Sequence, residues 1–247
     1  MGPKVVTESL DWSTEPRLRA LDRGLRRHGL YLRGGFHPRP ADGIPALPDG
    51  TAARTVVLAG NAGGALWRAF RASCARLDRP DPLDHWLEGI LGPAAAAAGA
   101  HLLLPNQGPP FPPLTDWARR ADAVFSSPIR ILIHPEFGLW HAYRGVFLFA
   151  KRLALPERVE RANPCEACAA RPCLNVCPAG AFPPDGFVAW RCHDHVVSAA
   201  GEACRTSGCL ARRACPVGRE YVYPRNAQAF HTAAFLHSVR QWLGSIA

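Results

Sequence analysis

The sequence predicts an α+β protein in two parts, a sheet-and-helix layer over the first 155 residues and a small cysteine-rich domain behind it. Three observations carry this expectation. Short apolar runs with strand character alternate with segments of helical periodicity. At about residue 156 that periodicity gives way to cysteine, proline and glycine. Eight of the nine cysteines fall within the 51 residues from Cys165 to Cys215.

In order along the chain, "PRLRALDRGLRRHGL" (16 to 30) sets Leu18, Leu21 and Leu25 at helical spacing with arginines on the opposite, solvated face. "GGFHPRPADGIPALPDG" (34 to 50) reads as an irregular connection. "TVVLAG" (55 to 60) is a buried strand, "GALWRAFRASCARL" (64 to 77) a helix, and "DPLDHWLEGILGPAAAAAGA" (81 to 100) a second helix opening at Asp81 with Pro82 at its first position. "HLLLP" (101 to 105) gives another strand, residues 107 to 128 a proline-broken loop around a short helix capped by Asp116, and "IRILIH" (129 to 134) and "YRGVFLFA" (143 to 150) two more strands. "AQAFHTAAFLHSVRQWL" (227 to 243) is a closing amphipathic helix. The resulting boundaries are 1–50 for an N-terminal helix and linker, 51–155 for the sheet-bearing domain, 156–225 for the cysteine domain and 226–247 for the C-terminal helix.

Composition narrows the function classes. With 48% hydrophobic and 20% charged residues the chain describes a globular protein, and no apolar run approaches the roughly eighteen residues that span a bilayer. The N-terminal stretch lacks a basic start followed by an apolar core, so the expected location is the cytoplasm, with no membrane partner. The formal charge of +9 comes from 29 basic residues, of which only Lys4 and Lys151 are lysines. An arginine bias joined to abundant alanine, proline and glycine has a compositional origin as readily as a polyanion-binding one, and it argues against nucleic acid as a partner.

A disulfide framework fits a small secreted domain, not a chain with a full apolar N-terminal half, so the cysteines point to metal. Thiolates suit zinc or an iron-sulfur cubane, and spacing separates the two. "CEACAARPCLNVCP" (165 to 178) reads C-x2-C-x4-C-x3-C-P, two residues longer than the ferredoxin run between its second and third cysteines. A looser set, Cys204, Cys209 and Cys215, also ends in proline. In the ferredoxin arrangement the fourth cysteine of a run serves the other cluster. One four-iron four-sulfur (4Fe-4S) cluster would then take Cys165, Cys168, Cys173 and Cys215, and the other Cys177, Cys204, Cys209 and the nearest remaining thiol, Cys192. One cluster with spare thiols, and zinc, stay open at this point. With two such clusters the formal charge falls by four, from +9 to +5. His193 and His195 are surplus to eight ligand positions, and Cys74 reads as a buried structural thiol.

The segment "ILIHPEFGLWHAYRGVFLF" (131 to 149) resembles one in the CblC-type cobalamin-processing decyanases and dealkylases, where a His-Pro pair precedes Phe-Gly, Trp and Arg-Gly. It also resembles epoxyqueuosine reductase, in which a ferredoxin domain follows directly and a stretch like "FVAWRC" precedes the equivalent of Cys192. The resemblance implies a nitroreductase-like fold for 51–155, with His134, Pro135, Gly138, Trp140 and Arg144 walling a cofactor pocket. Arg144 matches an arginine that helps to bind glutathione in the CblC-type proteins. The function implied is an iron-sulfur oxidoreductase in which two 4Fe-4S clusters relay electrons to cobalamin, with room left for flavin, from a donor such as a flavodoxin or ferredoxin. The alternatives are a ferredoxin-like carrier that docks a partner enzyme, and a tRNA-modifying reductase. The chain departs from epoxyqueuosine reductase in that "PPFPPLTDWARRADAVFSSP" has no aspartate at the corresponding place, Asp116 being offset, and no glycine run, and in lacking the C-terminal tRNA-binding repeats.

Overall fold

Residues 10–73 and 80–245 are described in a computed structural model. In chain order the elements are α1 (Pro16–Arg26), β1 (Tyr31–Phe36), β2 (Thr55–Ala62), α2 (Ala65–Ala72), α3 (Pro82–Ala98), β3 (His101–Leu103), α4 (Leu114–Ala121), β4 (Phe125–Ser126), β5 (Leu132–Ile133) and β6 (His141–Phe149). They continue as α5 (Pro172–Asn175), α6 (Ala189–Val197), α7 (Glu202–Ser207), α8 (Leu210–Arg213) and α9 (Arg225–Ser245). The backbone separates into two units, Met1–Val124 with His141–Arg161, and Phe125–Trp140 with Ala162–Ala247. No helix among the described residues is long and apolar enough to cross a membrane.

The first unit is built on an antiparallel sheet of order β1-β2-β6-β3. Every residue of β2 is buried, so this inner strand reads as a continuous apolar run and not as an alternation. Helix α1 begins behind Glu15, whose carboxylate accepts the amide of Arg17, and it buries Leu18, Leu21 and Leu25 as its spacing requires. Phe70, Leu91, Trp117, Phe147 and Phe149 complete the core, each large side chain contributing about 1.5–3 kcal/mol. Within this core Arg33 pairs with Asp122 at 2.7 Å, and the Tyr143 hydroxyl donates to the same carboxylate at 2.8 Å.

The second unit has little regular structure of its own. β4 and β5 form a two-stranded ladder. Short helices α5 to α8 carry the cysteine loops, and the 21-residue α9 packs on α6 and α7. Ile129, Ile133, Leu139 and Ala211 form its apolar cluster together with Cys173 and Cys215.

Three differences from the sequence reading have physical reasons. β1 begins just past the helix expected over 16–30 and runs into the expected irregular connection, because Gly34 and Gly35 weaken the strand signal of "YLRGGF". Gly34 has φ +146°, and a Cβ there would sit 2.0 Å from the carbonyl oxygen of Ala121, so only glycine fits. The strand expected over 129–134 shrinks to Leu132–Ile133, since Arg130 turns the chain at φ +62°. Asp116 lies in the first turn of α4 and accepts from Arg119, while Pro113 occupies the cap position. The end of the helix expected over 64–77, with Cys74, lies outside the described residues.

Candidate metal centre

The loops of the second unit gather the eight cysteines into two sets of four. Cys165, Cys168, Cys173 and Cys215 line one cavity, closed on the other side by Ile133 and Leu139. Cys177, Cys192, Cys204 and Cys209 line a second cavity, whose apolar wall includes Phe182, Phe187 and Phe235. These are the groupings that the crossover of the ferredoxin arrangement assigns. Cys177 closes the first cysteine run in sequence yet stands with the second set, and Cys215 does the reverse.

Each set is costly as bare thiolate. Burial pushes Cys165 up to about 11, with Cys215, Cys173 and Cys168 adding like-charge repulsion. Burial likewise pushes Cys192 up to about 12, with Cys209, Cys177 and Cys204 adding to it. The neighbours that raise each thiol come from its own set, as the shared cavities require. Backbone amides act in the opposite sense. Leu210 donates to Cys204, Ala211 and Arg212 to Cys209, and Val217 to Cys215, each stabilising the charged form. Amides of this kind arise where a short helix begins behind a cysteine, as α8 begins behind Cys209.

A four-iron core fits this donor set. Four soft thiolates surround each space, a cationic core relieves their mutual repulsion, and amides aimed at sulfur are among the features that tune such centres. All eight of these cysteines are free of disulfides. Among the described residues no three His, Cys, Asp or Glu side chains form a group that could hold a single metal ion. A cubane does not require that approach, because its iron and sulfide hold the ligands apart.

The residues expected to wall a cofactor pocket fall in different units. Arg144 belongs to the sheet of the first unit and donates from Nε to Asn61 Oδ1 at 3.0 Å. His134, Gly138 and Trp140 belong to the second unit, where packing accounts for each of them. His134 Nδ1 accepts the amides of Glu136 and Phe137 at 3.1 and 3.2 Å, and its ring stacks on Phe137 at 4.3 Å. Gly138 has φ +57°, and a Cβ there would meet the Val217 carbonyl oxygen at 2.0 Å. Trp140 is buried beneath the Arg212 guanidinium, 4.6 Å from its ring centre. His195 lines the second cavity, and His193 Nδ1 lies 3.0 Å from Asp194 Oδ1. Sequence reading missed two parts of the centre, the wall supplied by Ile133 and Leu139 and the side chain of Arg212. The wall had a signal, since its apolar run precedes the cysteines, but nothing in that run says which unit it covers.

No family model matches the chain, and no curated protein matches it. Among solved structures, epoxyqueuosine reductase from Streptococcus thermophilus superposes with a TM-score of 0.51 at 14% identity over 83% of this chain and 67% of that one. A second epoxyqueuosine reductase crystal structure gives a TM-score of 0.46 at 17% identity over 74% of this chain and 53% of that one. The first of these likenesses establishes a shared α+β fold. A third structure, at a TM-score of 0.48 and 15% identity over 85% of this chain and 68% of that one, is of the reductase with an epoxyqueuosine-modified tRNA-Tyr stem loop. The expectation against nucleic acid as a partner is corrected on that finding, since a neighbour of this chain has been solved with RNA.

Proposed function

We propose that the chain is an iron-sulfur reductase acting on a modified nucleoside in RNA. The observation that carries this reading is the gathering of eight thiols into two sets of four, each with an apolar wall and backbone amides on its sulfurs, in a chain that shares the fold of epoxyqueuosine reductase. Cys165, Cys168, Cys173 and Cys215 would hold one 4Fe-4S core, and Cys177, Cys192, Cys204 and Cys209 the other. When bound, such cores supply single-electron steps at low potential. The chain's own part is to exclude water from the first set with Ile133 and Leu139 and to hold the sulfurs charged through the amides of α8 and Val217. His134, Gly138 and Trp140 act in packing within this reading, and the cobalamin suggested by residues 131–149 is not needed for it.

The test uses protein purified without oxygen, reduced with dithionite and mixed with tRNA carrying epoxyqueuosine, with the nucleosides followed by mass spectrometry. Loss of one oxygen from the modified nucleoside is expected. An unchanged nucleoside in the presence of fully loaded protein overturns the RNA reading, and protein without iron and acid-labile sulfide overturns the iron-sulfur reading.

A further inference from the structure

Arg212 stands three residues after Cys209 and three before Cys215, one ligand from each set. Its backbone serves both of them. Its amide donates to the Cys209 sulfur, and its carbonyl accepts the Cys215 amide at 3.4 Å.

Its side chain is fixed more tightly than an arginine of a solvated face. Nε and Nη2 both donate to the Leu139 carbonyl oxygen, at 3.0 and 2.5 Å. The guanidinium lies 4.6 Å from the ring centre of Trp140 and 4.9 Å from that of Tyr223. Leu139 is a wall of the first cavity, and Arg212 itself lines the second. The guanidinium meets a carbonyl and two rings, and among the described residues its positive charge is not neutralised by a carboxylate.

A 4Fe-4S core with four thiolates is an anion, and reduction adds one more negative charge. A fixed cation in the cavity wall therefore stabilises the reduced form more than the oxidised one. The guanidinium keeps its charge throughout the working pH range.

Resting on the iron-sulfur reading above, we propose that Arg212 is a positioning residue that ties both cysteine sets to the Leu139–Trp140 turn and, through its uncompensated charge, favours reduction of the centre held by Cys177, Cys192, Cys204 and Cys209. The turn supplies the rigidity, and the charge supplies the bias.

The experiment compares wild type, Arg212→Met and Arg212→Lys in anaerobic redox titrations followed by electron paramagnetic resonance, with iron and acid-labile sulfide measured on the same samples. The second centre is identified as the signal that a Cys177→Ala variant loses. At the potential where this centre is half reduced in wild type, Arg212→Met is expected to shift the ratio of oxidised to reduced centre at least tenfold towards oxidised, about 59 mV for one electron. Arg212→Lys, which keeps the positive charge as a compact ammonium, is expected to stay within about threefold. An unchanged ratio in Arg212→Met with iron retained overturns the inference. Equal loss of iron from both variants also overturns it, since the role is then structural alone. Wild type lacking iron and sulfide defeats the iron-sulfur reading instead, which the metal assay reports separately.

Discussion

The two units solve the problem of buried polar groups in opposite ways. The first closes its charges on itself, with Arg33, Asp122 and Tyr143 meeting inside a core of large apolar side chains. The second crowds eight thiols behind a small apolar cluster, and burial and mutual repulsion push those at Cys165 and Cys192 up to about 11 and 12. A buried pair made within the chain needs nothing from outside. A set of four thiols is completed only by a cation they can share. In the proposed reading the first unit is thus specified by sequence alone, and the second by sequence together with metal.

The largest expected effect follows from that asymmetry. Stripping iron with a chelator after oxidation should leave residues 10–124 with 141–161 protected from proteolysis and expose 162–245 to rapid cleavage, because binding free energy in a small metal domain is largely folding free energy. Equal protection of the two regions would erase the distinction. Next in size is Asp122→Asn, which leaves Arg33 charged in the core and should lower stability in urea by about 3–5 kcal/mol. A loss below about 1 kcal/mol would mean that the pair does not organise the first unit.

A smaller effect concerns pH. In the metal-free protein the fold favours the neutral thiol at Cys165 and Cys192, whose values lie above the ordinary 9.0. The stability this contributes is present below pH 9 and is lost as pH rises towards 11 and 12. Residual structure in the metal-free second unit, followed by circular dichroism, should therefore diminish between pH 9 and pH 11, whereas the loaded protein, its thiolates already deprotonated on iron, should lack this component. Smallest is Asp116→Ala, which removes an exposed pair with Arg119 and should change stability by less than about 0.5 kcal/mol. A larger loss would restore the capping role that sequence suggests for Asp116.

The same contrast explains what could be read from the sequence. β2 and α3 are legible because their apolar pattern is also their burial pattern. The cysteine sets are legible because the crossover logic needs only the order of cysteines and prolines, save for Cys192, which has no proline behind it and is placed as the nearest remaining thiol. β1 is hidden because the close approach of Ala121 demands glycine, the residue that most weakens a strand signal. Residues 125–140 are misleading for another reason. Ile129, Ile133 and Leu139 have the composition of sheet strands, but they cluster with Cys173 and Cys215, more than thirty positions away, and periodicity carries no address. Arg212 is invisible to motif reading, because its meaning lies in a carbonyl and two rings contributed by distant segments.

The most direct measurement of the central claim compares iron, acid-labile sulfide and paramagnetic signals in wild type, Cys177→Ala and Cys165→Ala. Two cores built across the cysteine runs predict that each variant loses one core and keeps the other, with Cys177→Ala removing the signal that Cys165→Ala retains. If Cys177→Ala and Cys165→Ala instead abolish the same signal, the four cysteines of the 165–177 run share one site, and the assignment of two crossed sets is wrong.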